Sequence, residues 1–255
     1  MTEVLRLEGV HKGFAGRGEG ASVLADVSLS VAEGEIVAVV GGASQGKTTL
    51  IELAAGKLSP DRGSVWIDGV EVTLDSHKRV ASPVAGLVGV AGRNGPGLQV
   101  SACEYVEMAL GAVRDGRLRR WRRSEQRSMA DSILRELGVA DCAHLRWEAL
   151  SDWQRALAEL AQAVCAGPRL LLVDDITHSF ALRQKQMFMD LLEGFARTRG
   201  CGVLLVASDH ASALRSVRIY RLHRRELRLM ADHRELEETH DADVIALAPR
   251  RVGAG

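Results

Sequence analysis

Four cysteines in 255 residues form no C-x-x-C pair and no spacing that suits a metal ion, so neither a zinc site nor a disulfide framework is written into the chain. Cys103, Cys142, Cys165 and Cys201 are expected to be reduced structural thiols. No stretch approaches the ~18 uninterrupted apolar residues of a membrane span. The opening MTEVLRLEGV lacks a basic region followed by an apolar block, so no signal peptide is read there. Net charge is also missing, since 33 Lys and Arg balance 33 Asp and Glu. That leaves no bulk attraction to nucleic acid or to an anionic membrane. Lysine is scarce, with five of the 33 basic residues, and there are no internal repeats. What remains is 46% hydrophobic and 26% charged, the balance of a globular chain with ample material for a core. At ~150 residues per domain the length makes one large domain or two modest ones. The expectation is a soluble, intracellular protein.

The first third reads as strands. VLRLEGV (4–10) and VLADVSLSV (23–31) alternate apolar and polar residues, around the Gly-rich turn AGRGEGA. EIVAVV (35–40) is a short β-branched run of the kind buried on both faces of a sheet. It leads into GGASQGKTTLIELAAGKL, where Leu50, Leu53 and Ala54 share one helical face, and SVWIDGVEV reads as a hairpin turning at Asp68-Gly69. From about 100 to 165 the pattern is helical. In 124–138, Ser124 is the expected N-cap, Met129, Ile133, Leu134 and Leu137 the apolar face, and Gly138 the stop. A second helix follows Ser151 through Leu157, Leu160, Ala161 and Val164. RLLLVDD (169–175) and GVLLVAS (202–208) are strands flanking the helix LRQKQMFMDLLEGFARTRG, a βαβ unit that requires a sheet covered by helices. The expected architecture is an α/β core with a helical lobe inserted at about 92–160.

GGASQGKTT (41–49) fits G-x-x-x-x-G-K-S/T between a strand and a helix, the setting in which this string cradles phosphate. Gly41 and Gly46 let the backbone fold around an anion. The helix beginning near Lys47 adds its positive end, Lys47 adds a compact charge, and the Thr48 hydroxyl can ligate Mg²⁺. By composition the string should occur by chance in about one chain in a hundred of this length. Its natural complement is an apolar strand ending in an acid. RLLLVDD supplies Asp174 to hold Mg²⁺ and Asp175 at the position of a general base for an attacking water.

LSDWQRALAELAQAVCAGPRLLLVDD (150–175) resembles, in order and spacing, the stretch from the LSGGQ signature to the Walker B strand of ABC-type ATPases. The resemblance runs from LRLEGVHKGF to IYRLHRRELRL near residue 229. It implies a P-loop NTPase core, with a parallel sheet and helices, an N-terminal antiparallel β subdomain and an inserted helical subdomain, over residues 1–230. A charged tail, 231–255, follows. VSACEYVEMAL (100–110) resembles the start of the helical subdomain, and the hairpin and the 124–141 segment look most like the lipoprotein-release and macrolide-export branch. The resemblance also implies ATP bound along Gly41, Gly42, Ala43, Ser44, Gln45, Gly46, Lys47, Thr48 and Thr49, with Phe14 stacked on adenine. In this family two such domains pack head to tail, each ATP lying between one P-loop and the other domain's signature.

Several positions depart from the family pattern. Ser44 stands where Gly is usual, Arg93 aligns with the Q-loop Gln, and Asp175 replaces a Glu. Ala181 takes the D-loop Asp position. Ser208 aligns with the switch histidine, whose role passes to His210 if the alignment slips by two. LSDWQ keeps Ser151 and Gln154 but puts Asp152 and Trp153 where the signature has glycines. Two unit charges ~5 Å apart at an effective dielectric of about 20 repel by roughly 3 kcal/mol. Asp152 would therefore oppose a partner's γ-phosphate, and Trp153 would crowd it; the alternative for Asp152 is a helix cap. RDGRLRRWRR (114–123) is either a solvated basic connection or a contact with the inner membrane surface. HRELEETH (233–240) reads as a solvated helix face.

The resemblance implies a MgATP-binding subunit that docks on a membrane-spanning permease and pairs with a second nucleotide-binding domain, as a homo- or heterodimer. It would lie in the cytoplasm against the inner face of the cell membrane, with no nucleic acid partner. The alternatives are a catalytically impaired ATP-binding pseudo-enzyme and a non-transport ATPase of the same class.

Overall fold

The structure, a computed structural model, describes residues 2–14, 22–73, 88–91, 100–112, 122–177, 179–208, 216 and 218–232. Two sheets organise them. The first is antiparallel, in the order β2-β1-β4-β5: β1 (Glu3–Gly13), β2 (Ser22–Ala32), β4 (Arg62–Ile67) and β5 (Val70–Glu71). The β4–β5 hairpin turns at Asp68 and Gly69, both at positive φ, as the sequence predicts. The second sheet runs β10-β9-β3-β8-β7-β6, built from β3 (Ile36–Val40), β6 (Val88–Ala91), β7 (Leu170–Asp174), β8 (Gly202–Ala207), β9 (Arg218–His223) and β10 (Glu226–Asp232). All its neighbours pair in parallel except β9 with β10.

The uninterrupted apolar runs of β7 and β8 follow from burial on both faces. Leu171, Val173, Val203 and Leu205 point into one core, and Leu170, Leu172, Leu204 and Val206 into another. The second core is shared with the antiparallel sheet and α1 (Lys47–Ala54). The first is closed by α2 (Ala102–Ala112), α3 (Arg123–Glu136), α4 (Asp152–Val164) and α5 (Leu182–Arg199), the last being the crossover from β7 to β8. Leu157, Leu160, Ala161 and Val164 of α4 are buried, as their spacing predicts.

One boundary moves. The helix expected to start after Ser124 starts at Arg123, because the Arg122 N–H donates to the Glu125 carboxylate at 2.6 Å and closes the first turn from inside the helix. Gly138 ends it at φ +72. All four cysteines are free and buried. Burial, with hydrogen bonds to Asp131 and Glu107, pushes the Cys103 thiol up to about 12, and burial pushes Cys165 to about 12.

Candidate functional site

Where β3 ends, the chain must turn sharply into α1, and the glycines of the loop serve that turn. A side chain at Gly41 would meet the Leu222 carbonyl oxygen of β9 at 2.7 Å. Gly46, at φ +100, is the N-cap of α1. No side chain caps this helix and no acid occupies its first turn, so its amino-terminal N–H groups are left for an anion. Ser44 also takes a left-handed backbone, φ +59, where glycine would be less strained.

Lys47 is only 8% exposed. Its ammonium reaches back across the loop and donates to the Gly41 and Gly42 carbonyls at 2.7 and 2.9 Å, which satisfies a charge that could not be buried alone. Phosphate oxygens would offer it stronger, charge-assisted acceptors.

A cleft of about 530 Å³ opens over this loop, lined by Phe14, Val23, Ala43 to Thr49, Asp174 and Asp175. The fold therefore gathers the loop, both acids and the aromatic ring into one site from three separate stretches of chain. Asp174 ends β7, and Asp175 follows it at φ +49. The Asp175 N–H donates to the Val206 carbonyl at 2.9 Å. The Ser208 N–H and hydroxyl both donate to one Asp175 carboxylate oxygen, at 3.0 Å each. Ser208 thus grips Asp175 directly, across the ends of two neighbouring strands.

The signature residues lie elsewhere. Ser151 to Gln154 do not line the cleft. Ser151 is the N-cap of α4: its hydroxyl accepts from the Gln154 N–H at 3.3 Å, and the Gln154 carboxamide oxygen accepts from the Ser151 N–H at 2.9 Å. Asp152 is exposed and pairs loosely with Arg155 at 3.6 Å. The Trp153 ring turns inward, edge-on to Phe180 and Phe188 with centroids 5.2 and 6.5 Å away. The expectation that Trp153 crowds a facing phosphate is revised, because much of its bulk goes into the chain's own core. Ala181 is the N-cap of α5, its N–H donating to Gln184 at 3.0 Å. Arg93, His210, residues 114–121 and residues 233–255 lie outside the described residues.

Contacts that sequence reading missed complete the site. The β9–β10 turn rests on the loop and on β2, with the Arg224 N–H donating to Gln45 Oε1 at 3.0 Å and the Arg225 carbonyl accepting from the Ala25 N–H of β2 at 2.9 Å. Both arginines have positive φ, 49 and 76, the backbone that usually selects Asn-Gly, and with Arg-Arg there no such signal marked the hairpin. Asp61 holds the end of β1 through Lys12 and Gly13. The Lys12 ammonium and the Gly13 N–H keep its carboxyl below the usual carboxylate range.

The family model described as ABC transporter matches residues 24–178. The chain is 31% identical over 200 residues to the ABC transporter ATP-binding protein YtrE of Bacillus subtilis (strain 168), covering 77% of this chain and 83% of that one. It is 30% identical over 215 residues to the lipopolysaccharide export system ATP-binding protein LptB of Acidithiobacillus ferridurans, covering 82% and 81%. Among solved structures, the dimeric ATP-binding cassette MJ0796 bound to ADP and Pi superposes with a TM-score of 0.79 at 24% identity, over 89% of this chain and 97% of that one. That likeness is one of fold.

Proposed function

Because the chain belongs to the ABC transporter family, we propose that it is the MgATP-binding subunit of a transporter complex whose membrane-spanning part is a separate permease. Relatives named as ATP-binding proteins of import and of export systems support this reading. No described helix is long and apolar enough to cross a membrane, and the reading places the chain at the cytoplasmic face, docked on that permease. Residues 1–230 form the ATP-binding domain, with the helical lobe at about 92–160 inserted, and 231–255 its charged tail.

The observation that carries the proposal is the single cleft that joins the Ala43–Thr49 loop, Lys47, Asp174, Asp175 and Phe14. The loop and the start of α1 hold the phosphate chain, Lys47 neutralises its outer charge, and Phe14 stacks on the base. The Thr48 hydroxyl and the Asp174 carboxylate, hard oxygen donors lining the same cleft, fit Mg²⁺, which would neutralise phosphate charge when bound. Asp175 is placed to accept a proton from water. It is one methylene shorter than the family's Glu, and Ser208 engages it. Ser151 and Gln154, which do not line the cleft of their own chain, would complete the site of a second nucleotide-binding domain packed head to tail. Closure of the pair on ATP would then move the permease, and hydrolysis would reopen it.

Lys47→Ala is expected to raise the Kd for MgATP about tenfold or more, since about 1.4 kcal/mol per decade is within reach of one charge-assisted contact. Titration calorimetry measures it. Unmeasurable ATP binding by the unmutated chain, or an unchanged Kd in the variant, overturns the site assignment. The Ser208 grip on Asp175 favours a second reading, a pseudo-enzyme whose state is set by ATP binding alone. Turnover of the assembled complex separates the two.

A further inference from the structure

The ring of Phe14 borders the cleft and is 41% exposed, so it has less packing to hold it than a core ring and depends the more on the backbone that carries it. That backbone is the end of β1. There β1 pairs with β2 on one side, through Lys12–Leu24 and Gly13–Ser22. On the other side, pairing with β4 stops at His11–Arg62. Asp61, the residue before β4, takes over where the strand gives out. Its N–H donates to the His11 carbonyl at 2.9 Å, and its carboxylate accepts from the Gly13 N–H and from the Lys12 ammonium, both at 2.7 Å. Three hydrogen bonds from one residue therefore fix the three residues that precede Phe14. The Lys12 side chain is 15% exposed, and its ammonium stands 5.8 Å from the Phe14 ring centroid, within cation–π range. One carboxylate thus sets both the stem of the ring and the cation against it.

We propose that Asp61, acting through Lys12 and Gly13, is a positioning residue that pre-organises Phe14 as the platform for the nucleotide base. The proposal rests on the nucleotide reading above and adds to it a residue on the loop between α1 and β4. Its consequence is selective. A ligand that uses only the phosphate loop does not need the ring, whereas a nucleotide is bound less tightly in proportion to the time the platform is out of place.

The test compares ATP with inorganic tripolyphosphate, each with Mg²⁺, by calorimetry on the full chain. The chains compared are the unmutated one, Phe14→Ala, Asp61→Asn and Lys12→Met. If loss of the grip leaves the ring in place about one-fifth of the time, Asp61→Asn raises the Kd for ATP about fivefold. Lys12→Met, which leaves the Gly13 bond intact, should raise it less. Tripolyphosphate should bind these four chains within about twofold, and in a fifth chain Asp61→Asn added to a Phe14→Ala background should cost no further ATP affinity. A general loss of structure would weaken both ligands together, and that result overturns the proposal, as does an unchanged ATP affinity in Asp61→Asn. If Phe14→Ala weakens ATP and Asp61→Asn does not, the clamp is refuted and the nucleotide reading stands. If ATP binding is indifferent to both Phe14→Ala and Lys47→Ala, the nucleotide reading falls and the clamp with it.

Discussion

Asp175 shows how one side chain can satisfy backbone, neighbour and chemistry at once. Its φ of +49 lies in the left-handed region, which aspartate tolerates better than longer side chains because its short carboxylate can bond locally. Here the Ser208 N–H and hydroxyl both donate to its Oδ1. A glutamate would carry the carboxylate past that position and lose these bonds. The pair should behave as a unit in a double-mutant cycle. Ser208→Ala removes the hydroxyl bond and Asp175→Ala removes both, each costing about 0.5–1.5 kcal/mol at this partly exposed site. The double variant should cost less than the sum by about 0.5 kcal/mol or more. Urea denaturation of the four chains measures the coupling. Strict additivity would mean that the contact contributes nothing.

Among the elements, α4 carries the altered signature, and its first turn divides two effects that the sequence alone merges. Ser151 and Gln154 form a reciprocal cap, Asp152 faces solvent beside the positive helix end, and Trp153 packs against Phe180 and Phe188. Trp153→Gly removes those ring contacts and should destabilise by about 3 kcal/mol, near the lower end of the range for truncating packed aromatics. Asp152→Gly forfeits only an exposed dipole interaction and a loose ion pair, about 1 kcal/mol or less. Thermal unfolding distinguishes them, and equal losses would show that Trp153 is not anchored. Asp152→Gly alone is therefore the clean reversion of the signature, because restoring both glycines would damage the core as well.

For the whole molecule, the proposed reading makes the site incomplete in one chain: the loop and acids line the cleft, and Ser151 to Gln154 do not. In the proposed head-to-tail pair, the departures would divide between the two sites. On that reading Asp175 and Ser208 would act on this chain's own ATP, and Asp152 on its partner's. A homodimer should therefore hydrolyse ATP slowly, well below the ~10 per second common among enzymes, since general-base catalysis alone is worth ~10²–10⁴ in rate. Phosphate release under steady-state conditions checks this, and turnover of several per second would sink it. In an assembled complex with a second subunit, Asp152→Gly should raise turnover at the partner's site, and Asp175→Glu with Ser208→His at this chain's own. If neither raises it, the departures are tolerated.

The candidate phosphate loop was legible in the sequence because its parts are contiguous. The turn, the lysine and the helix start of GGASQGKTT follow one another, and a run such as LLLVDD announces both a buried strand and the acids at its end. The doubly buried strands, the α4 face and the βαβ crossover were readable for the same reason: periodicity is a local property. β6 was not, since VGVA is too short to show a period and is a strand only by pairing with β7. The grip of Ser208 on Asp175 spans 33 residues, that of Asp61 on Gly13 spans 48, and the bond from Arg224 to Gln45 spans 179. Trp153 read as an obstruction until the fold brought Phe180 and Phe188 against it. Sequence by itself determined which residues could hold a phosphate, because backbone geometry over a few residues suffices for that. Only tertiary structure decided which residues hold those in place, because a hydrogen bond or ring contact exists only once remote segments are packed within a few ångströms of each other.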